Sequence, residues 1–229
     1  MRAILWDFDG TLAFRAGMWR GCLVDVLDEH EHGHAIHADA FRDALRDGFP
    51  RHTPDVAHGH LHTADAWWEP VEELLARAYA GVGFAPERAG ELARLARAHY
   101  VDPRHGWALF DDTRTALERL RDEGWRHVIL SNHVPELPGI VTALGLDDLV
   151  AAVVNSAETG YEKPHPGAFI AGRAAAAGEV EELWMVGDNP IADVAGAEDA
   201  GIRAILVRGG GAGLDEVAER ISRSAPPSR

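Results

Sequence analysis

The stretch Ala3-Ile4-Leu5-Trp6-Asp7-Phe8-Asp9-Gly10-Thr11-Leu12 decides the reading of this chain. It opens as an apolar run of the kind that fills a strand buried in a parallel sheet. Two carboxylates follow, Asp7 and Asp9. On a continuing strand they would face the same way, but Gly10 predicts a sharp turn just past Asp9. Two carboxylates at the end of a buried strand are costly unless a cation or hydrogen-bond donors meet them. An Asx-turn cap is the plain alternative. What the later strand ends supply decides against it.

From about Phe14 to Trp107 the spacing is helical, with loops and no convincing alternating strand. Trp19–Glu29 carries Trp19, Cys22, Leu23, Val26 and Leu27 on one face, and Asp39–Asp47 carries Ala40, Phe41, Ala44 and Leu45. Asp65 precedes a run through Trp67, Val71, Leu74, Leu75 and Ala78. Pro86–Tyr100 opens with a helix-starting proline. Strand and helix then alternate. Strands are predicted at Trp125–Leu130, Leu149–Asn155, Leu183–Val186 and Ile202–Val207. Helices are predicted at Asp111–Glu123, Leu137–Leu144, Pro166–Ala177, Ile191–Ala200 and Leu214–Ile221, with Ser222–Arg229 frayed. The fold class is therefore α/β, a doubly wound parallel sheet, with a small all-helical domain inserted after the first strand. Residues 1–14 and 107–229 form the α/β core and residues 15–106 the insert.

Composition narrows the function. The 229 residues are 46% hydrophobic and 26% charged, ordinary for a soluble globular protein. A formal charge of −15 argues against a nucleic-acid or anionic-membrane surface. No stretch is long and apolar enough to span a bilayer, and the first residues do not read as a signal peptide. With the single cysteine, Cys22, this points to the cytoplasm. There is one lysine, Lys163, against 21 arginines. That survival suggests a position where a compact ammonium serves and a planar guanidinium does not.

In an open parallel sheet, ligands bind beyond the carboxyl ends of the strands. There lie Asp7 and Asp9 after the first strand, Ser131 after the second and Asp188 after the fourth, with Lys163 in the loop after the third. The motifs resemble those of the haloacid dehalogenase-like hydrolase superfamily, in order. Asp7-Phe8-Asp9-Gly10-Thr11 resembles the first, Val128-Ile129-Leu130-Ser131-Asn132 the second, Glu162-Lys163-Pro164 the lysine motif, and Gly187-Asp188 with Asp193 the fourth. The helical insert sits where many members carry a cap domain.

The resemblance implies a phosphatase. Asp7 is the nucleophile that forms an aspartyl-phosphate. Asp9 protonates the leaving oxygen and then activates water. Ser131, the Asn132 backbone N–H and Lys163 bind the phosphate. Asp7, Asp188 and the Asp9 carbonyl hold Mg²⁺, with Asp193 supporting the metal site. Gly10 supplies the turn and Thr11 holds the loop. Asp193 has a plain alternative as a first-turn acid favoured by the helix dipole. Asp9 argues against a dehalogenase, whose family members lack the second carboxylate. The insert has no lysine for phosphonatase-type Schiff-base chemistry. A sugar phosphomutase and a non-catalytic binding member remain as alternatives. The expected partner is a small phosphorylated substrate, not nucleic acid or membrane.

The insert holds His30, His32, His34 and His37, then His52, His58, His60 and His62. His-x-His spacing can bind transition metals, but a polar loop is the better reading, since no ligand geometry is evident. Of Trp67 and Trp68, one is expected to pack in the insert and the other to face the cleft. Arg15, Arg20 and Arg51 could meet a second anionic group on a substrate, with solvated surface the favoured reading for each. The insert is expected to move on the core through Phe14–Gly17 and Pro103–Gly106.

Overall fold

The structure, a computed structural model, describes residues 1–61, 63–209 and 211–224. His62 of the insert and residues 225–229 of the tail lie outside them.

Strand β1 (Arg2–Trp6) leads into a short strand β2 (Ala13–Arg15). Three helices follow, α1 (Met18–His30), α2 (Ala64–Gly81) and α3 (Pro86–Val101), and then β3 (Trp107–Leu109). The rest alternates: α4 (Thr113–Asp122), β4 (Trp125–Ser131), α5 (Leu137–Ala143), β5 (Val150–Asn155), a single turn α6 (Ser156–Thr159), and α7 (Pro166–Ala175). Strand β6 (Glu182–Gly187) runs into a π-helical turn at Pro190–Ala195 that continues as α8 (Gly196–Asp199). Strand β7 (Arg203–Leu206) and α9 (Leu214–Ser224) complete the described fold.

The main sheet is parallel with order β5-β4-β1-β6-β7. Strand β1 is central because its residues are apolar on both faces. Ile4 and Trp6 enter one apolar cluster and Ala3 and Leu5 the other. The same division holds in β6, where Trp184 and Val186 face one way and Leu183 and Met185 the other. This is the doubly wound sheet the sequence predicts. From β1 the chain goes first to β4 and β5 on one side, then to β6 and β7 on the other. That reversal opens a crevice at the carboxyl end of β1.

The junctions of the insert differ from expectation. The spacing predicts helices and loops from Phe14 to Trp107, but β2 and β3 pair antiparallel at those limits, Ala13 with Leu109 and Arg15 with Trp107. Strands of three residues are too short for alternation to show in a sequence. Asp39–Asp47 also differs. Phe41 and Leu45 are buried as the spacing predicts, but only a 3₁₀ turn, Ala38–Phe41, forms. Two anchoring side chains on so short a segment do not stabilise a longer helix. One apolar cluster runs without a break from the insert (Trp19, Phe49, Trp68, Tyr100) to the helices under the sheet (Leu117, Leu137, Val217).

Candidate active site

The chain turns at the end of β1 because the Phe8 carbonyl accepts the N–H groups of Leu12 and Ala13, each at 3.0 Å. Gly10 sits at φ 77°, in the left-handed region that glycine favours. A Cβ at Gly10 would also lie 2.2 Å from Asp188 Oδ2, so glycine is what allows the two loops to approach. The turn separates the two carboxylates: Asp7 faces β4 and the Lys163 loop, while Asp9 turns toward the insert.

Lys163 is buried, with its Nζ 2.8 Å from Asp7 Oδ1 and 2.6 Å from Asp193 Oδ1. Burial opposes its charge, but Asp193 and Asp7 overcome that and hold the ammonium above the ordinary lysine range. Ser131 Oγ donates to the same Asp7 oxygen at 3.1 Å, and the Thr11 hydroxyl donates to Oδ2 at 3.4 Å. Asn132 clamps the backbone of Lys163 from the neighbouring strand end. Its Oδ1 accepts from the Lys163 N–H at 2.7 Å and its Nδ2 donates to the Lys163 carbonyl at 3.0 Å. The side chain of Asn132 thus aims the lysine, a function separate from the backbone contact expected of it.

Asp193 is buried, and its Oδ2 accepts from the Asn189 N–H at 3.0 Å. Both its oxygens are therefore engaged. Asp188 differs: no other side chain donates to it among the described residues, and it stands with Asp7 and Asp193 within 4.8 Å. Burial, then the charges of Asp7 and Asp193, push its carboxyl up to about 7. Three carboxylates around one ammonium lack positive charge, and the donor set is all oxygen, which suits a hard divalent cation.

The remaining candidates separate. Arg15 is not solvated surface. It is 2% exposed, paired with Asp25 at 2.7 Å and set against His99. Arg20 pairs with Asp39 at 2.8 Å. Arg51 is exposed, as expected of solvated surface, and lies at the edge of a pocket that runs from Asp9 and Asn132 to Phe49 and Trp67. Trp67 faces this cleft while Trp68 is fully buried, donating to Glu136 at 3.1 Å. Among the insert histidines, His34 meets Asp28 at 3.0 Å and His58 meets Thr53.

A second acidic and imidazole cluster, Glu29 with His99 and His105, lies outside this site. An arginine only donates, so His99 Nδ1 accepts from Arg15 Nη2 at 3.2 Å and the ring proton sits on Nε2, toward Glu29. A protonated nitrogen is not a metal ligand.

Two buried residues beside the site have no role assigned in the sequence reading, although Glu162 opens the lysine motif. His133 Nε2 lies 3.4 Å from Asp9 Oδ1. Glu162 is buried with one carboxyl oxygen lacking a partner among the described residues, and burial pushes its carboxyl up to about 7. Their only signal was adjacency, His133 to Asn132 and Glu162 to Lys163.

The family model for haloacid dehalogenase-like hydrolase matches residues 1–201. The chain is 32% identical to the phosphoserine phosphatase of Thermus thermophilus, over 90% of this chain and 88% of that one. It is 33% identical to a phosphoglycolate phosphatase of Cereibacter sphaeroides, over 90% and 84%. A dehalogenase crystal structure superposes with a TM-score of 0.71 at 19% identity, covering 96% of each chain. That likeness is one of fold. Across the sheet, the strand-end residues and the matched span, this chain belongs to the haloacid dehalogenase-like hydrolase family.

Proposed function

We propose that this chain is a Mg²⁺-dependent phosphatase that hydrolyses a small phosphorylated metabolite in the cytoplasm through an aspartyl-phosphate. The observation that carries the reading is the buried Lys163 ammonium shared by Asp7 and Asp193, with Ser131 on the same Asp7 oxygen. An anionic nucleophile approaching an anionic phosphate is repelled by about 1 kcal/mol at 4 Å in water and several-fold more in a dry site. Lys163 offsets that repulsion while holding the Asp7 carboxylate in one orientation.

Asp7 attacks phosphorus and forms the phosphoaspartate as the bond to the leaving oxygen breaks. Asp9, on the side of the pocket, gives its proton to that oxygen. It then takes a proton from the water that attacks phosphorus, which releases phosphate and restores Asp7. Ser131, the Asn132 N–H and Lys163 receive the phosphate oxygens. Asp7, Asp188 and the Asp9 carbonyl would hold Mg²⁺, and Asp193 supports that set by fixing Lys163. The cation supplies charge neutralisation at the phosphate. Residues 15–106 act as a cap over the cleft. No helix among the described residues is long and apolar enough to cross a membrane.

The test is p-nitrophenyl phosphate hydrolysis by the wild type and Asp7→Asn. Asp7→Asn is expected to lose about 10³-fold or more in kcat with its fold intact by circular dichroism. Chelation of Mg²⁺ is expected to abolish wild-type turnover and its re-addition to restore it. Equal turnover by both proteins would remove the proposed nucleophile.

A further inference from the structure

The two carboxylates of the first loop are held very differently. Lys163, Ser131 and Thr11 all donate to Asp7. The buried Oδ1 of Asp9 has no hydrogen-bond partner among the described residues. Facing it at 3.4 Å is His133 Nε2, also buried and also without a partner among those residues. Buried polar groups are satisfied in the great majority of cases, and an unpaired one costs about 1–3 kcal/mol. Two such atoms set against each other are the halves of one bond, open by a few tenths of an ångström. Catalytic hydrogen bonds are often long or misaligned in an unliganded enzyme and tighten in the complex. The other ring nitrogen, Nδ1, lies 3.4 Å from the Val134 carbonyl. A carboxylate is the stronger acceptor, which puts the ring proton on Nε2.

We infer that His133 is the positioning residue of the acid–base step: its Nε2–H takes Asp9 Oδ1 and so turns Oδ2 toward the leaving oxygen. The inference rests on the phosphatase reading and deepens it. His133 is the fixed member of the pair. Its ring lies edge-on to Phe8 with centroids 5.6 Å apart, and against Trp107 at 5.3 Å and Tyr100 at 6.3 Å. Its backbone N–H donates to Ser156 Oγ at 3.3 Å, and Asn155 Nδ2 holds the next carbonyl, that of Val134, at 2.6 Å. Close packing on several sides leaves the imidazole one orientation. Asp9 is the adjustable member, with 22% of its side chain exposed on the pocket wall. Because Oδ1 is the buried oxygen, Oδ2 is the one that meets substrate. It gives its proton to the leaving oxygen and later takes one from water, while Oδ1 stays on His133. Phe8 belongs to the core, Tyr100 to α3 of the insert and Trp107 to the junction, so this aim is set where insert and core meet.

The experiment uses two esters of nearly the same shape, p-nitrophenyl phosphate and phenyl phosphate, with the wild type, His133→Phe, His133→Gln and His133→Asn. p-Nitrophenolate leaves without a proton, whereas the more basic phenolate needs one. The ratio kcat/KM reports the steps through phosphoaspartate formation. His133→Phe should keep kcat/KM for p-nitrophenyl phosphate within about threefold of wild type and cut it for phenyl phosphate by about tenfold or more. Attack by water needs Asp9 as base whichever ester is used. In His133→Phe, kcat for p-nitrophenyl phosphate should therefore fall by about tenfold with KM falling alongside. A merely structural loss lowers kcat/KM for both esters alike. Glutamine can place an N–H where Nε2 lies and asparagine is too short to do so. Glutamine should stay within about threefold of wild type on every measure, and asparagine should behave as phenylalanine does. That pair decides the matter if His133→Phe does not fold. Equal effects on the two esters, no loss in either short or apolar variant, or glutamine and asparagine behaving alike would overturn the inference and leave the phosphatase reading in place. A wild type that hydrolyses neither ester removes the phosphatase reading, and the role of His133 falls with it.

Discussion

The strand-end cluster and the helical insert are held by different forces. At the strand ends, polar contacts position each group: Lys163 between two aspartates, Asn132 on the Lys163 backbone, Asn189 on Asp193. In the insert, aromatic packing forms the core, beside the buried Arg15 with Asp25 and His99. Trp19 stacks on Tyr100 with centroids 3.8 Å apart and meets Phe49 and Trp68 edgewise or tilted. Polar links from insert to core include the His58 N–H to the Gly160 carbonyl at 2.7 Å and Trp68 to Glu136. A buried charge network fails sharply when one member is lost. A packed aromatic layer yields by degrees. The chemistry is thus built where failure is sharp, and the substrate-facing wall where change is tolerated.

The largest break in that contrast is Lys163→Met. It leaves Asp7, Asp188 and Asp193 facing one another without an ammonium. Removing one partner of a buried ion pair costs about 3–5 kcal/mol, and denaturant unfolding should show a loss of that order. Added Mg²⁺ should recover part of it, because a cation that binds only the folded state stabilises it. A loss below about 1 kcal/mol would place the lysine outside the network.

A second break lies under the sheet. His127 is buried, with Trp6 Nε1 donating to its Nδ1 at 3.0 Å and its Nε2 therefore donating to the Leu117 carbonyl at 2.9 Å. Burial holds its pKa down to about 4. The unfolded chain, with a histidine pKa of about 6.5, binds more protons between those values. Stability from this group is therefore fully present above about pH 6.5 and falls as pH drops to about 4, by up to about 3 kcal/mol. Glutamine can satisfy both partners without titrating. The wild-type stability minus that of His127→Gln should fall across that window, and a flat difference would contradict the assignment.

Gly10→Ala is milder. The left-handed backbone and the overlap with Asp188 should cost about 1–2 kcal/mol and raise the Mg²⁺ concentration needed for half-maximal activity. Half-activation at the wild-type Mg²⁺ concentration would show that the Gly10 loop does not shape the carboxylate set.

The two regions also differed in how legible they were. Asp7, Ser131 and Asp188 each end an apolar run, and a polar residue at the end of a buried strand is a pattern that neighbours in sequence reveal. Lys163 was legible through scarcity. The fold followed because both faces of β1, β4 and β6 are apolar, which only a doubly covered sheet accommodates. Arg15, His133 and Glu162 were harder. Their burial depends on which loop lies over which, and no period in a short irregular segment encodes that. Arg15 reads as surface until β2 pairs with β3 and brings His99 against it. The turn at Asp39–Asp47 failed for the converse reason, since helical spacing was present without enough length to form the helix.

The smallest expected effect bears most directly on the contrast itself. Trp68→Phe keeps an aromatic ring in the insert but removes the N–H that meets both oxygens of Glu136, at 3.1 Å each. One such charge-assisted bond is worth about 1–3 kcal/mol, and partial exposure of Glu136 places the loss near about 1 kcal/mol, or roughly 2–4 °C in Tm. How that loss is distributed is the informative part. If polar links tie an otherwise independent insert to the core, hydrogen exchange should quicken in α2 and α3 and stay unchanged in β1 and β4. If the apolar cluster running from Trp19 to Leu117 makes insert and core one cooperative unit, protection should fall equally in both. The second outcome would mean that the aromatic layer is as much the foundation of the strand-end site as the sheet is.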